Sequence, residues 1–217
     1  MDISQLSQAI AISALPVLFA ITLHEAAHGY VARHFGDMTA YAQGRISLNP
    51  LRHVDLVGTI VVPLLILLAS GGRFLFGWAK PVPVNYSALR RPRQHMLWVA
   101  AAGPASNLGM ALGWALLLKL AIVLPHNLYT DAMSAMATIG LQVNLVFMFL
   151  NLLPILPLDG GRILASLLPH RAARRYAKLE PWGLPLLILL LVTNMLSVVL
   201  GPLVDASFTL IRHAVLL

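Results

Sequence analysis

The sequence predicts an all-α polytopic membrane protein: a three-helix core and C-terminal helices, with a small strand or re-entrant hairpin region between the first two core helices. Three observations lead there. Of the 217 residues, 59% are hydrophobic and only 11% charged, outside the usual composition of soluble domains. The mean hydropathy is +0.80. Several apolar runs approach the roughly 20 helical residues needed to cross a hydrocarbon core of about 30 Å. With little sequence left for a soluble domain, residues 1–217 read as a single membrane-embedded unit.

The first core helix is expected at about 6–34, with Ser4 or Ser7 as N-cap and the "FGD" at 35–37 as its stop. "AQGRISLNPLRHVD" (42–55) mixes Gly, Asn and Pro with partial alternation, which favours a turn or strand hairpin. The apolar run 56–70 is short and holds Pro63, and the basic, proline-rich stretch through about residue 85 completes the irregular region. The second core helix spans about 95–124. Its Ala101, Ala105, Gly109 and Gly113 recur every four residues, a pattern expected of close helix packing. The third spans about 133–158, broken or kinked near its end by Pro154 and Pro157. C-terminal helices follow at about 183–200 and 203–216.

The formal net charge is +7. The 15 Lys and Arg sit in short clusters between apolar runs, as in loops held at a cytoplasmic face, so nucleic acid is not an expected partner. "MDISQLSQ" lacks a basic n-region, and the first apolar run is expected to stay in the mature chain. There are no cysteines, which excludes disulfides, thiolate metal sites and a cysteine nucleophile. Any metal must be held by His, Asp, Glu or Asn.

"HEAAH" (24–28) lies near the inner end of the first apolar segment. Four residues apart on a helix, His24 and His28 project from one face and can offer two imidazole nitrogens to one ion. Glu25 lies about 100° round from His24, where it can reach a water on that ion without being a ligand, the place of a zinc peptidase's general base. An unpaired ionisable group at this depth, about 13 Å inside the segment's end, is costly. A catalytic zinc usually has three protein ligands and keeps a fourth position for water. His34 stands at a metzincin-like spacing, but Val31 replaces the turn glycine and the ring would point away. Glu180 sits in a basic loop ahead of a proline. Asp159, in "PILPLDGG", ends an apolar helix beside residues that permit close backbone approach. By itself it is equally an ordinary turn aspartate before glycine.

HEAAH together with "NLLPILPLDGG" (151–161) closely resembles the paired signatures of the site-2 protease family of intramembrane zinc metallopeptidases. "GRISLNP" (44–50), "GWAKPVPVN" (77–85) and "AAGPASN" (101–107) are similar to the compact bacterial branch, and the resemblance spans residues 20–165. It implies that His24, His28 and Asp159 bind one Zn2+, that Glu25 is the base, and that Asn151 assists at the substrate or its oxyanion. Two departures stand out: there is no room for the PDZ or CBS domain of many members, and the run 56–70 is absent from some.

A shared zinc requires the first and third core helices to run in the same direction and the second to oppose them. Residues 36–94 must then begin and end on one side, so a re-entrant hairpin through about residue 84 is expected. Arg33, Arg45, Arg52, Lys80, Arg90, Arg91 and Arg93 would share the cytoplasmic side of the cell (inner) membrane with Arg162, Arg171, Arg174, Arg175 and Lys178. The expected activity is hydrolysis of a peptide bond in or near a transmembrane segment of a membrane-protein substrate. "GRISLNP" or "AKPVPVN" could offer that substrate a strand edge. The remaining histidines, His53, His95, His126, His170 and His213, read as interfacial or solvated. Two rivals are a catalytically silent membrane-helix-binding protein of the same fold and a zinc transporter. The transporter would need ionisable groups along a path, where here the intramembrane acids reduce to Glu25 and Asp159.

Overall fold

The computed structural model describes residues 3–62, 64–65 and 79–216. The described residues are helical with irregular connections and contain no strand. Four of the helices are long and apolar enough to cross a membrane.

Helix α1 (Ile3–His34) ends where Phe35 and Gly36 turn away, Gly36 at φ 108°. Asp37, buried behind that turn, accepts from the Thr39 amide and hydroxyl and from the Asn85 amide. It ties α1 to the segment ahead of the next long helix. A single turn α2 (Thr39–Ala42) follows.

Residues 42–55 do not pair as the anticipated hairpin. Arg45 donates its amide to Ala40 O (2.8 Å), Asn49 to Ser47 Oγ (3.1 Å) and Leu51 to Asn49 Oδ1 (3.0 Å). Side-chain acceptors capture amides that a ladder would need, and the chain forms a 3-10 turn at Pro50–His53. Asp55 then caps a π-helical turn at Leu56–Val61. About half of the re-entrant hairpin expected over 56–84, at 63 and 66–78, lies outside the described residues, which resume in an irregular stretch at 79–85.

Helix α3 (Pro92–Val123) and helix α4 (Leu128–Leu152) form the centre. Helix α4 starts five residues before the expected position. Asn127 and Thr130 make a reciprocal capping box there, a signal the apolar pattern hid. It stops at Leu152 rather than continuing to 158, because Pro154 has no amide with which to extend it. A tight turn containing the cis Leu156–Pro157 bond leads to α5 (Asp159–Leu167), whose first residue is the carboxylate singled out above. A Cβ on Gly160 would collide with the Leu152 carbonyl, and one on Gly161 would lie 2.6 Å from Leu156 N, so the two glycines let α5 fold directly back on the end of α4.

The basic stretch forms a helix, α6 (His170–Ala177). Helices α7 (Glu180–Val192) and α8 (Met195–Leu216) divide at Asn194, at φ 58°, not near residue 201 as anticipated. Asn tolerates the left-handed C-terminal position, whereas Pro202 is accommodated inside α8.

Contacts fix the directions of the core helices. His28 meets Val99, while His24 and Ala20 meet Asn107, so α1 and α3 are antiparallel. Asn107 meets Asn144, and the Trp114 indole lies against Gly140, so α3 and α4 are antiparallel too. Helices α1 and α4 therefore run in the same direction, and the turn after α4 emerges beside the end of α1. Ala111 and Ala115 of α3, Leu141, Leu145 and Met148 of α4, and Val204 and Ile211 of α8 form the main apolar cluster.

The expected small-residue stripe is on the wrong face. Cβ atoms built on Gly109 and Gly113 meet nothing within 4 Å among the described residues, and Ala105 is exposed. The packed face of α3 carries Val99, Ala100, Gly103, Asn107, Ala111 and Ala115. Both faces of a membrane helix are apolar, so spacing alone could not tell them apart.

Candidate metal centre and active site

The i, i+4 spacing on α1 places His24 and His28 side by side, rings nearly perpendicular at 82° and centroids 4.7 Å apart. Their Nε2 atoms are 3.0 Å apart. Asp159 Oδ2 lies 3.2 Å from His24 Nε2 and 3.3 Å from His28 Nε2. The three donors thus form a nearly equilateral triangle assembled from two elements 131 positions apart in the chain, counting from His28 to Asp159.

Partners behind the rings fix their tautomers. His28 Nδ1 lies 2.7 Å from Val99 O, an acceptor only, so this nitrogen carries the proton. His24 Nδ1 lies 2.6 Å from Asn107 Oδ1. That amide is oriented by its other end, where Nδ2 donates to Ala20 O (3.2 Å) and Asn144 Oδ1 (3.0 Å), so His24 Nδ1 also donates. Asn144 in turn donates to Gly140 O (2.8 Å). Asn107 and Asn144 are fully buried. Such donation from Nδ1 is how proteins aim a histidine's Nε2 at a metal.

In the neutral rings both Nε2 lone pairs therefore face each other and a carboxylate oxygen. Asp159 Oδ2 is itself buried without a hydrogen-bond partner among the described residues. Three convergent electron-pair donors repel unless a cation lies among them. Separations of 3.0–3.3 Å match the roughly 3.3 Å expected between tetrahedral donors about 2.0–2.1 Å from zinc. Two imidazoles and one carboxylate suit zinc better than magnesium or calcium, which prefer all-oxygen shells.

Close approach of α3 makes this possible. A Cβ on Gly103 would lie 2.5 Å from both His24 Cε1 and His28 Nε2. Gly103 is thus the floor of the site, one helical turn from each of the two positions, 99 and 107, that hold the rings.

Glu25 faces a different neighbour. Its Oε2 accepts from the Val82 amide at 2.7 Å. Val82 belongs to "AKPVPVN", which is clamped by Arg45 donating to Lys80 O and Pro81 O. Lys80 donates its own amide to His53 O at 2.9 Å. The Lys80 and Val82 amides are thus engaged within the protein, which leaves them unavailable as a strand edge for another peptide. Ile46 and Val82 pack over Gly29, beside His28.

Asn151 occupies the last turn of α4, its Nδ2 donating to Phe147 O at 3.0 Å. His34 packs edge-on to Phe35, and Glu180 pairs with Arg162 at 2.7 Å, so neither joins the triangle. His53 is buried rather than solvated, with Nε2 2.9 Å from Ser47 O, and His95 stacks on Phe35. Asn107, Asn144, Gly103 and the Val82 amide were not anticipated from sequence. For the two asparagines there was a signal: an amide inside an apolar helix needs a partner.

The model of the family described as Peptidase family M50 matches residues 119–193, which include Asn151 and Asp159 but not HEAAH. The chain is 40% identical over 201 residues to YwhC of Bacillus subtilis, covering 89% of this chain and 85% of that one. It is 33% identical over 181 residues to Rip2 of Mycolicibacterium smegmatis, covering 83% of this chain and 66% of that longer protein. Rip2 of Mycobacterium tuberculosis H37Rv is 31% identical over 180 residues with the same coverage. Each of the three bears the name "Putative zinc metalloprotease". No solved structure matches the chain.

Proposed function

Since the chain belongs to peptidase family M50, the site-2 protease family, we propose that it hydrolyses peptide bonds in or near transmembrane segments of membrane-protein substrates, with its active site near the cytoplasmic face of the cell membrane. It is a multi-pass membrane protein and a zinc-dependent protease. The observation that carries the reading is the convergence of His24 Nε2, His28 Nε2 and Asp159 Oδ2, lone pairs inward, with no donor between them among the described residues.

His24, His28 and Asp159 would hold the zinc. When bound, the metal would lower the pKa of a water toward about 7 and polarise the scissile carbonyl. Glu25, next to His24 and with one carboxylate oxygen held by the Val82 amide, takes the proton from the attacking water and passes it to the leaving amine nitrogen. Asn107 and the Val99 carbonyl keep both imidazoles in the required tautomer. Asn151 assists at the oxyanion with the second N–H of its Nδ2, the first being donated to Phe147 O. A helical substrate conceals its amides in its own hydrogen bonds, so it must unwind locally before attack.

Basic residues gather at the end of the bundle that holds the site. Arg90 donates its amide to Phe35 O (3.0 Å), and Arg93 donates through Nε to Ser166 O (2.8 Å). This supports a cytoplasmic orientation for that end.

The test is Glu25→Gln in proteoliposomes with a model transmembrane substrate. Zinc content should be unchanged and cleavage abolished. Undiminished cleavage would overturn the base assignment, and zinc flux across the liposome would favour a transporter.

A further inference from the structure

Glu25 is tied down through a single peptide group. The Val82 amide donates to Glu25 Oε2 at 2.7 Å, and the carbonyl of that same peptide unit, Pro81 O, accepts from Arg45 Nη2 at 3.2 Å. In a planar trans unit the C=O and N–H point in opposite directions. Arg45 and Glu25 therefore grip opposite edges of one rigid plate, and the direction of its N–H follows from where its oxygen is held. The same Arg45 nitrogen also reaches Lys80 O at 2.9 Å.

The surroundings hold this bracket in place from both ends. Upstream, the Lys80 amide donates to His53 O at 2.9 Å; downstream, the Asn85 amide donates to the buried Asp37 carboxylate at 2.7 Å. The Val82 side chain is buried and packs with Ile46 over Gly29, one turn along α1 from Glu25. Arg45 follows Gly44, which stands at φ 61° and whose carbonyl accepts from Arg52 Nη1 at 2.5 Å. That turn presents the guanidinium to residues 80 and 81.

We propose that Arg45 is a positioning residue for the general base: by holding Pro81 O it aims the Val82 N–H at Glu25 Oε2, fixes the carboxylate, and leaves Oε1 to take the proton of the attacking water. Donation to a peptide oxygen also strengthens the N–H of that peptide as a donor. An untethered glutamate spreads over several rotamers, and a misplacement of about 1 Å at a reacting group costs on the order of 100-fold in rate. The inference rests on the base assignment for Glu25.

The test has two arms on the purified full chain. In proteoliposomes with a model transmembrane substrate, Arg45→Met should lower kcat about 10- to 100-fold with KM and zinc content at wild-type values, and Arg45→Lys, which keeps a donor, should recover most of the loss. Hydrogen–deuterium exchange then reads the Val82 amide, set apart by prolines on either side that carry none. Exchange there should be about tenfold faster in Arg45→Met, as for the loss of one hydrogen bond, and slow in Glu25→Gln, whose amide oxygen still accepts. Wild-type kcat in Arg45→Met, a loss confined to KM or accompanied by loss of zinc, or unaltered Val82 exchange would each overturn the proposal. Cleavage failure in the wild type would instead overturn the peptidase reading, and the exchange arm, which needs no turnover, would still decide whether Arg45 holds the tether.

Discussion

Replacing Gly103 by alanine adds one methyl group, and the structure says where it goes. The new Cβ would lie 2.5 Å from His24 Cε1 and 2.5 Å from His28 Nε2, and ordinary contact begins near 3.4 Å, so something must move by about 0.9 Å. The rings cannot retreat easily. Behind them are Asn107 Oδ1 at 2.6 Å and Val99 O at 2.7 Å, both on the helix that carries residue 103. A shift of that size is several times the roughly 0.2 Å within which zinc–ligand distances normally hold. Overpacking of a buried contact costs about 1–3 kcal/mol, and displaced ligands should lower zinc affinity on the order of 100-fold. Gly109→Ala and Gly113→Ala are the controls, for their added methyls meet nothing within 4 Å. Zinc per protein, measured by elemental analysis after dialysis against a graded chelator, should fall only for Gly103→Ala, and all three variants should keep the wild-type helical signal. Wild-type zinc retention in Gly103→Ala would refute the packing argument at its centre.

Asp159→Ala removes the only carboxylate of the triangle, so purified protein should lose most of its zinc, whereas zinc content equal to wild type would exclude Asp159 as a ligand. Asn107→Leu should weaken zinc binding about 10- to 100-fold, measured by competition with a chromogenic chelator, because it removes the partner of His24 Nδ1 and leaves Ala20 O and Asn144 Oδ1 without their donor. Asn107→Asp keeps an acceptor for His24 and should lose less affinity than the leucine variant. The reverse order would show that the Asn107 side chain acts by packing alone.

Local signals in the chain were strong where backbone geometry or composition alone decides the outcome. Apolar runs announced the membrane helices, because in lipid a continuous apolar segment satisfies its backbone amides within itself only as a helix. The spacing of His24 and His28 announced a shared face because an α-helix repeats every 3.6 residues. Asp159 drew notice as an acid beside two glycines, and those glycines prove to be where α5 touches the backbone at the end of α4. The boundaries of α4 and α8 were less legible: a capping box at Asn127 and a left-handed Asn194 outweighed the more conspicuous prolines and the length of the apolar run.

Linear order could supply the two halves of the candidate metal centre but not their meeting. That meeting depends on α3 lying antiparallel to both α1 and α4, which brings Val99, Gly103 and Asn107 to the histidines and turns the stripe containing Gly109 and Gly113 outward. Hydrophobicity cannot choose between faces that are equally at home in lipid. The choice falls to close packing and to buried amides that must find each other, and these are properties of pairs of helices rather than of any one segment.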